Sequence, residues 1–97
     1  MEIKKTQNGG ALSVQVIGRL DTTTAPELEK ALSELDSVTA LTLDFANLEY
    51  ISSAGLRVIL ALQKTMSKKE GMKVCNVNSD IMEVFEITGF SDMLTIE

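Results

Sequence analysis

The sequence predicts one α/β domain over residues 1–97, a four- or five-stranded mixed sheet with helices mainly on one face. Three observations carry this expectation. Apolar and polar residues alternate in several short stretches, the period of a strand. Between these stretches the apolar spacing changes to i, i+3, i+4, i+7, the period of an amphipathic helix. Turn and cap residues stand where the period changes. The resulting order is β-β-α-β-α-β-α-(β). Strands joined through helices should run parallel by right-handed crossovers, and the opening hairpin makes the sheet mixed.

Each element has its own signal. Residues 2–7 are a weak strand, and Asn8-Gly9-Gly10 is a turn. Residues 11–20 alternate, with Leu12, Val14 and Val16 on one face and Ser13 and Gln15 on the other. Thr24 and Glu27 stand at capping-box spacing, and Pro26 suits a first helical turn. Leu28, Ala31, Leu32 and Leu35 then predict an amphipathic helix of about three turns. Leu41, Leu43 and Phe45 alternate with Thr42 and Asp44 as a central strand, its apolar side toward the helices. Residues 46–50 read as a short polar turn, and residues 51–66 as the second helix. A polar loop over 67–71 leads to a strand over 72–77. Asn78-Ser79-Asp80 caps a third helix whose inner face is Ile81, Val84, Phe85 and Thr88 and whose C-cap is Gly89. Residues 94–96 add a short last strand.

Composition narrows the function classes. A hydrophobic fraction of 44% in 97 residues supports one packed core filled by Leu, Ile, Val and Met. The net charge of −5 argues against nucleic-acid binding, which needs clustered Lys and Arg. Cys75 is the only cysteine and there is no histidine, so a structural zinc site lacks ligands. No apolar run approaches the roughly 20 residues of a membrane helix, so membrane insertion is not expected. The expectation is a cytoplasmic protein.

The chain's one candidate site lies between the central strand and the second helix. Ser52 and Ser53 precede the helical periodicity, where a hydroxyl accepts the unpaired amide hydrogens of a first turn. A helix start also carries partial positive charge, so a serine there is well placed to bear a phosphate. Capping by both serines is the commoner use of such residues, and residue types alone leave both readings open. Rotating 100° per residue from Ser53 puts Gly55, Ile59, Leu62 and Met66 on the buried side, flanked by Leu56 and Val58. Ser53 falls among Arg57, Lys64 and Lys68 on the outer side, whereas Ser52 projects inward and suits capping. Ala54, Leu60 and Ala61 share the outer side. They fit a partner surface and equally fit plain helix formers.

Other chemistry finds little support. Nucleophilic catalysis by a serine needs a base, and the serine motif offers neither histidine nor lysine. Cys75 reads as a core residue. No phosphate-loop or cofactor motif occurs. Asp21, Asp44 and Glu49 could gather at strand ends around a divalent ion, but bracing turns is the better reading. No metal or cofactor is expected.

Gly18-Arg19-Leu20-Asp21, Leu41-Thr42-Leu43-Asp44, Tyr50-Ile51-Ser52-Ser53-Ala54-Gly55-Leu56 and Glu86-Ile87-Thr88-Gly89-Phe90 together resemble the STAS domain of sulphate transporters and anti-sigma factor antagonists. The resemblance spans essentially the whole chain, and the serine motif is its most specific part. It implies a non-enzymatic anti-sigma factor antagonist working by partner switching. The unphosphorylated form binds an anti-sigma factor serine/threonine kinase and frees the sigma factor. The kinase then phosphorylates the motif serine, and a PP2C-type phosphatase reverses this. Alignment on Gly55-Leu56 puts the phosphoserine at Ser53. Many relatives carry Asp in place of Ser52 and Ser or Thr in place of Ala54, which makes Ser52 the second candidate acceptor. The expected partner surface comprises Asp21, Thr22, Thr23, Thr24, Ser52, Ser53, Ala54, Arg57, Leu60 and Ala61, provided both segments lie at one end of the sheet. Free-standing STAS proteins also serve as accessory subunits of membrane lipid-transport complexes and as stressosome-type scaffold components, the two alternative roles.

Overall fold

The alternating stretches become strands with one wet face. In the computed structural model, which describes residues 1–97, β1 (Glu2–Asn8) and β2 (Ala11–Leu20) form the expected antiparallel hairpin. After α1 (Ala25–Ala31) comes β3 (Ala40–Asp44), parallel to β2. Then follow β4 (Leu48–Ile51), α2 (Ser53–Met66), β5 (Met72–Cys75), α3 (Ser79–Thr88), a single 3₁₀ turn (Phe90–Asp92) and β6 (Thr95–Ile96). The sheet runs β1-β2-β3-β5-β6, and the pairings joined through helices are parallel as expected. Register aligns Leu12, Leu41 and Met72 across three strands, and Val14, Leu43 and Val74 beside them. All six are buried against the helices, while Ser13, Gln15 and Lys73 on the opposite face are exposed. The core holds 24 apolar residues and no polar one.

Three elements differ from the sequence expectation. Residues 48–50, expected in a turn, and Ile51, expected to open the second helix, form β4, a sixth strand lying along the far half of β2. Asp44 pairs with Gln15 and Leu48 with Gly18, so one extra residue bulges out between β3 and β4, and Glu49 is a second between the Gly18–Leu48 and Arg19–Tyr50 pairs. Bulged residues break the period of two, which hides the strand from a pattern reading. Leu48 and Ile51 are nonetheless buried.

The first helix has two turns rather than three. It stops after Ala31, where the Ser33 hydroxyl and amide both donate to the Lys30 carbonyl. Leu32, Leu35 and Val38 are still buried, so the periodic pattern recorded burial without helix. The loop's carbonyls are held by Lys69, whose Nζ donates to the carbonyls of Leu35 and Val38, the latter at 2.9 Å. Lys69→Met should therefore cost about 1–3 kcal/mol, because it strips the Val38 carbonyl of its partner and leaves the Leu35 carbonyl only the Val38 amide. Urea denaturation checks this, and an unchanged midpoint would show that water replaces the ammonium.

The third difference is β5, which ends at Cys75 rather than at residue 77. Cys75 pairs with Asp44 on the face opposite the core and is only half-buried, so it is not a core cysteine. The third helix has the expected ends: the Asn78 side chain accepts from the Ile81 amide at 2.9 Å, and Gly89 ends the helix in a left-handed conformation. Of its expected inner face Ile81 and Phe85 are buried and Val84 is half-buried, but Thr88 is exposed, its hydroxyl donating back to the Val84 carbonyl at 2.7 Å.

Candidate functional site

The site is built where β2 and β4 end side by side. Arg19 pairs with Tyr50 and Leu20 with Ile51. The Ser52 amide then donates to the Leu20 carbonyl at 2.9 Å, so the start of α2 hangs directly from the end of β2. Gly18 makes this possible. Its φ of 102° lies where side-chain-bearing residues are strained, and the register shifts there. Asp21 follows Leu20, so Asp21 and the serines share one end of the sheet, as the partner-surface expectation requires.

Ser52 is the N-cap of α2. It is extended, half-buried, and its hydroxyl accepts from the Gly55 amide at 3.5 Å, a long bond. Ser53 is the first helical residue and is exposed. The inward and outward placement read from the helical rotation is thus observed. Gly55, Leu56, Val58, Ile59, Leu62 and Met66 are the buried side of α2.

Asp21 organises the approach to α1. Its carboxylate accepts from the Thr23 hydroxyl at 2.7 Å and from the Thr23 and Thr24 amides at 3.0 and 3.2 Å. The expected Thr24–Glu27 capping box is absent. The Thr24 hydroxyl turns back, donating to the Arg19 carbonyl at 2.7 Å and accepting from the Asp21 amide at 2.8 Å. Of the two amides a capping box would have satisfied, that of Thr24 is taken by the Asp21 carboxylate in an Asx-type turn and that of Glu27 by the Thr24 carbonyl at 2.9 Å. Asp44 braces a second turn, accepting from the Ala46 amide and the Asn76 side chain, both at 3.0 Å. Neither carboxylate belongs to a group of acidic or sulfur ligands close enough to hold an ion.

The Thr23 hydroxyl, above all, holds the Asp21 carboxyl below its ordinary value, although desolvation opposes it. A depressed folded pKa contributes stability that is present above the unfolded value and is lost as pH falls through the folded one. Asp21→Asn should therefore be less stable than wild type at neutral pH, with the gap closing in acid. Thermal melts across pH check the sign, and a gap that persists below the folded pKa would assign the effect to lost turn geometry.

Two clefts lie between α2 and the α1 segment. Thr22, Ala25, Pro26, Ala54 and Arg57 line one of about 220 Å³ beside the serines. Ala61 lines another of about 350 Å³, together with Leu32, Leu35 and Leu62. Leu60 is half-buried and lines neither cleft. Thr23 is exposed; the hydroxyls of Thr23 and Thr24 both serve the Asp21 turn.

Sequence reasoning missed Arg19 and Tyr50 as site residues. The Arg19 guanidinium lies 4.3 Å from the Tyr50 ring centroid and 3.9 Å from the Asp21 carboxylate. Tyr50, the chain's one tyrosine, is 42% exposed beside the serine turn. Its position just before Ser52 was the available signal, obscured because residues 46–50 read as a turn.

The other reactive side chain is remote in character. Burial, with the Asp44 and Glu97 carboxylates, pushes the Cys75 thiol up, so it is protonated and a poor nucleophile. What the site presents is an exposed hydroxyl on a rigid helix start, framed by a charged turn, a stacked Arg–Tyr pair and a cleft. Such an arrangement suits a small docking domain that offers its surface and an accessible serine to another protein. The chain belongs to the STAS domain family, whose model matches residues 2–97. It is 32% identical to BtrV of Bordetella bronchiseptica, named as a candidate anti-sigma factor antagonist, over 99% of this chain and 85% of that one. It is 28% identical to the anti-sigma-B factor antagonist of Staphylococcus aureus, over 99% and 92% of the two chains. The crystal structure of an anti-sigma factor antagonist from Mycobacterium paratuberculosis superposes with a TM-score of 0.88 at 27% identity, covering 98% of this chain and 83% of that one.

Proposed function

We propose that this anti-sigma factor antagonist works by partner switching at the Ser53 end of the sheet. The unmodified protein binds an anti-sigma factor that is also a serine/threonine kinase, and the sigma factor is released. The kinase moves the γ-phosphoryl of ATP to the Ser53 oxygen, with loss of the hydroxyl proton and release of ADP. Binding then ends. A PP2C-type phosphatase hydrolyses the new P–O bond with water, returning the hydroxyl and inorganic phosphate. The chain is a substrate and ligand in this cycle, not its catalyst. Partners of this kind put the cycle in the cytoplasm. No helix of the chain is long and apolar enough to cross a membrane.

The observation that carries this reading is the division of labour between the serines. Ser52 is engaged as the cap, and Ser53 is exposed at the first helical position. A phosphate there adds about −1.5 to −2 charges where the helix dipole tolerates them. The fold should survive, and the new charge falls on the docking surface, where desolvation and repulsion weaken the complex.

The test uses the cognate kinase and ATP. Wild type, Ser53→Ala and Ser52→Ala are incubated with both, and binding is measured before and after. Ser53→Ala should bind and remain unmodified, while Ser52→Ala should accept phosphate more slowly. Wild-type affinity should fall at least about tenfold on phosphorylation, roughly 1.4 kcal/mol. Phosphate on Ser52 in wild type would reverse the assignment, and unchanged affinity of the phosphoprotein would remove the switch.

A further inference from the structure

We infer that Arg57 is the side chain through which a phosphate on Ser53 reshapes the docking surface: phosphorylation draws its guanidinium out of the α1–α2 cleft and onto the phosphoserine. This rests on Ser53 being the modified residue. Ser53 and Arg57 stand four residues apart on α2, and both are exposed. Side chains at that spacing are neighbours on one helix face, and an acid N-terminal to a base is the better orientation.

Arg57 is free to move. The molecule's ion pairs join Lys4 to Glu2, Arg19 to Asp21 and Lys73 to Glu97, so Arg57 is in none of them. It is the one cation lining the cleft, opposite Glu29 on α1, which lies beyond ion-pair distance. A phosphate outcompetes Glu29 on two counts. It carries up to twice the charge, and its oxygens accept a bidentate guanidinium. Arg19, the other cation at this end, is already held by Asp21 and Tyr50.

The unmodified protein thus shows a cleft with an apolar floor of Ala25, Pro26 and Ala54, and a cation at its mouth. The phosphorylated protein shows the same floor with only Glu29 charged. Modification of Ser53 removes a positive contact as well as adding a negative one, which sharpens the switch.

The test needs no kinase and no partner. Phosphoserine is placed at residue 53 during translation, in otherwise wild-type protein and in Arg57→Gln and Arg57→Lys. Phosphorus NMR then follows the second ionisation of the phosphate. Other charged groups on neighbouring elements, Asp21, Glu29 and Glu49, are acidic and common to all three proteins, and Arg19 is unchanged. Their effect cancels in the comparison. The acid dissociation constant should be at least about threefold larger in the protein that keeps Arg57 than in Arg57→Gln, a shift of about half a pH unit, and Arg57→Lys should lie between. Amide shifts at Ala25 and Glu29 should respond to the phosphate in wild type and much less in Arg57→Gln. Identical titration midpoints would overturn the inference and leave phosphorylation of Ser53 standing. A kinase that ignores Ser53 would sink the partner-switching cycle and leave this measurement intact.

Discussion

Phe85→Ala is expected to cost about 3–5 kcal/mol, the usual range for emptying a buried aromatic site. Phe85 is fully buried on α3. Its ring centroid is 6.5 Å from that of Phe45 at the end of β3 and 6.4 Å from that of Phe90 in the 3₁₀ turn. One side chain therefore ties the last helix to the middle of the sheet and to the turn that leads into β6. A domain of this size has a total stability of about 5–15 kcal/mol, so the loss approaches the lower bound. Both of the other phenylalanines already border this site, so the truncation removes the middle ring of the chain's one aromatic cluster. Urea denaturation should show a much lower midpoint. Phe85→Leu, which keeps more of the volume, should lose clearly less. Equal losses for the two variants would mean that the aromatic contacts, not the cavity, set the cost.

The second large effect is expected at Gly55, where helix and strand meet too closely for a side chain. A Cβ on residue 55 would stand 2.7 Å from Leu20 Cγ and 3.0 Å from Ile51 Cγ1. Leu20 is fully buried at the end of β2 and cannot swing away. Gly55→Ala should therefore push the start of α2 off the strand and cost about 1–3 kcal/mol, despite alanine's better helix propensity. The displacement falls on Ser52 and Ser53, so partner binding and phosphorylation should weaken together. Pairing it with Leu20→Ala, which removes the Cγ and Cδ atoms of the contact, isolates the cause. If the clash is the mechanism, the double variant is more stable than the sum of the single changes predicts. Strict additivity would rule out the Leu20 contact as the source.

Much of this was legible in the sequence because it depends on local order. Alternation in residues 11–16 and 41–45 specifies strands, since each is half-buried and unbroken. Asn78 and Gly89 bracket α3 through bonds a few residues long. The exposed Ser53 and capping Ser52 follow from a rotation of 100° per residue, which a real helix obeys from its first turn. The family resemblance rested on the same local motifs.

Contacts across the fold decided the rest. Whether residues 48–50 were turn or strand depended on β2 offering them a bulged register, and periodicity carries no record of that partner. Burial of Leu32 and Leu35 looked helical, but periodicity reports which side chains are buried, not which backbone bonds they keep. The Ser33 hydroxyl and the ammonium of Lys69, 34 residues beyond Leu35, settled the matter. The meeting of Asp21 with the serines needed the Ser52–Leu20 bond. The stacking of Arg19 on Tyr50 and the placing of Arg57 over a cleft with α1 are likewise properties of distant segments brought together. Which serine faces solvent is a property of one helix, whereas what surrounds that serine is set by the sheet from which the helix hangs.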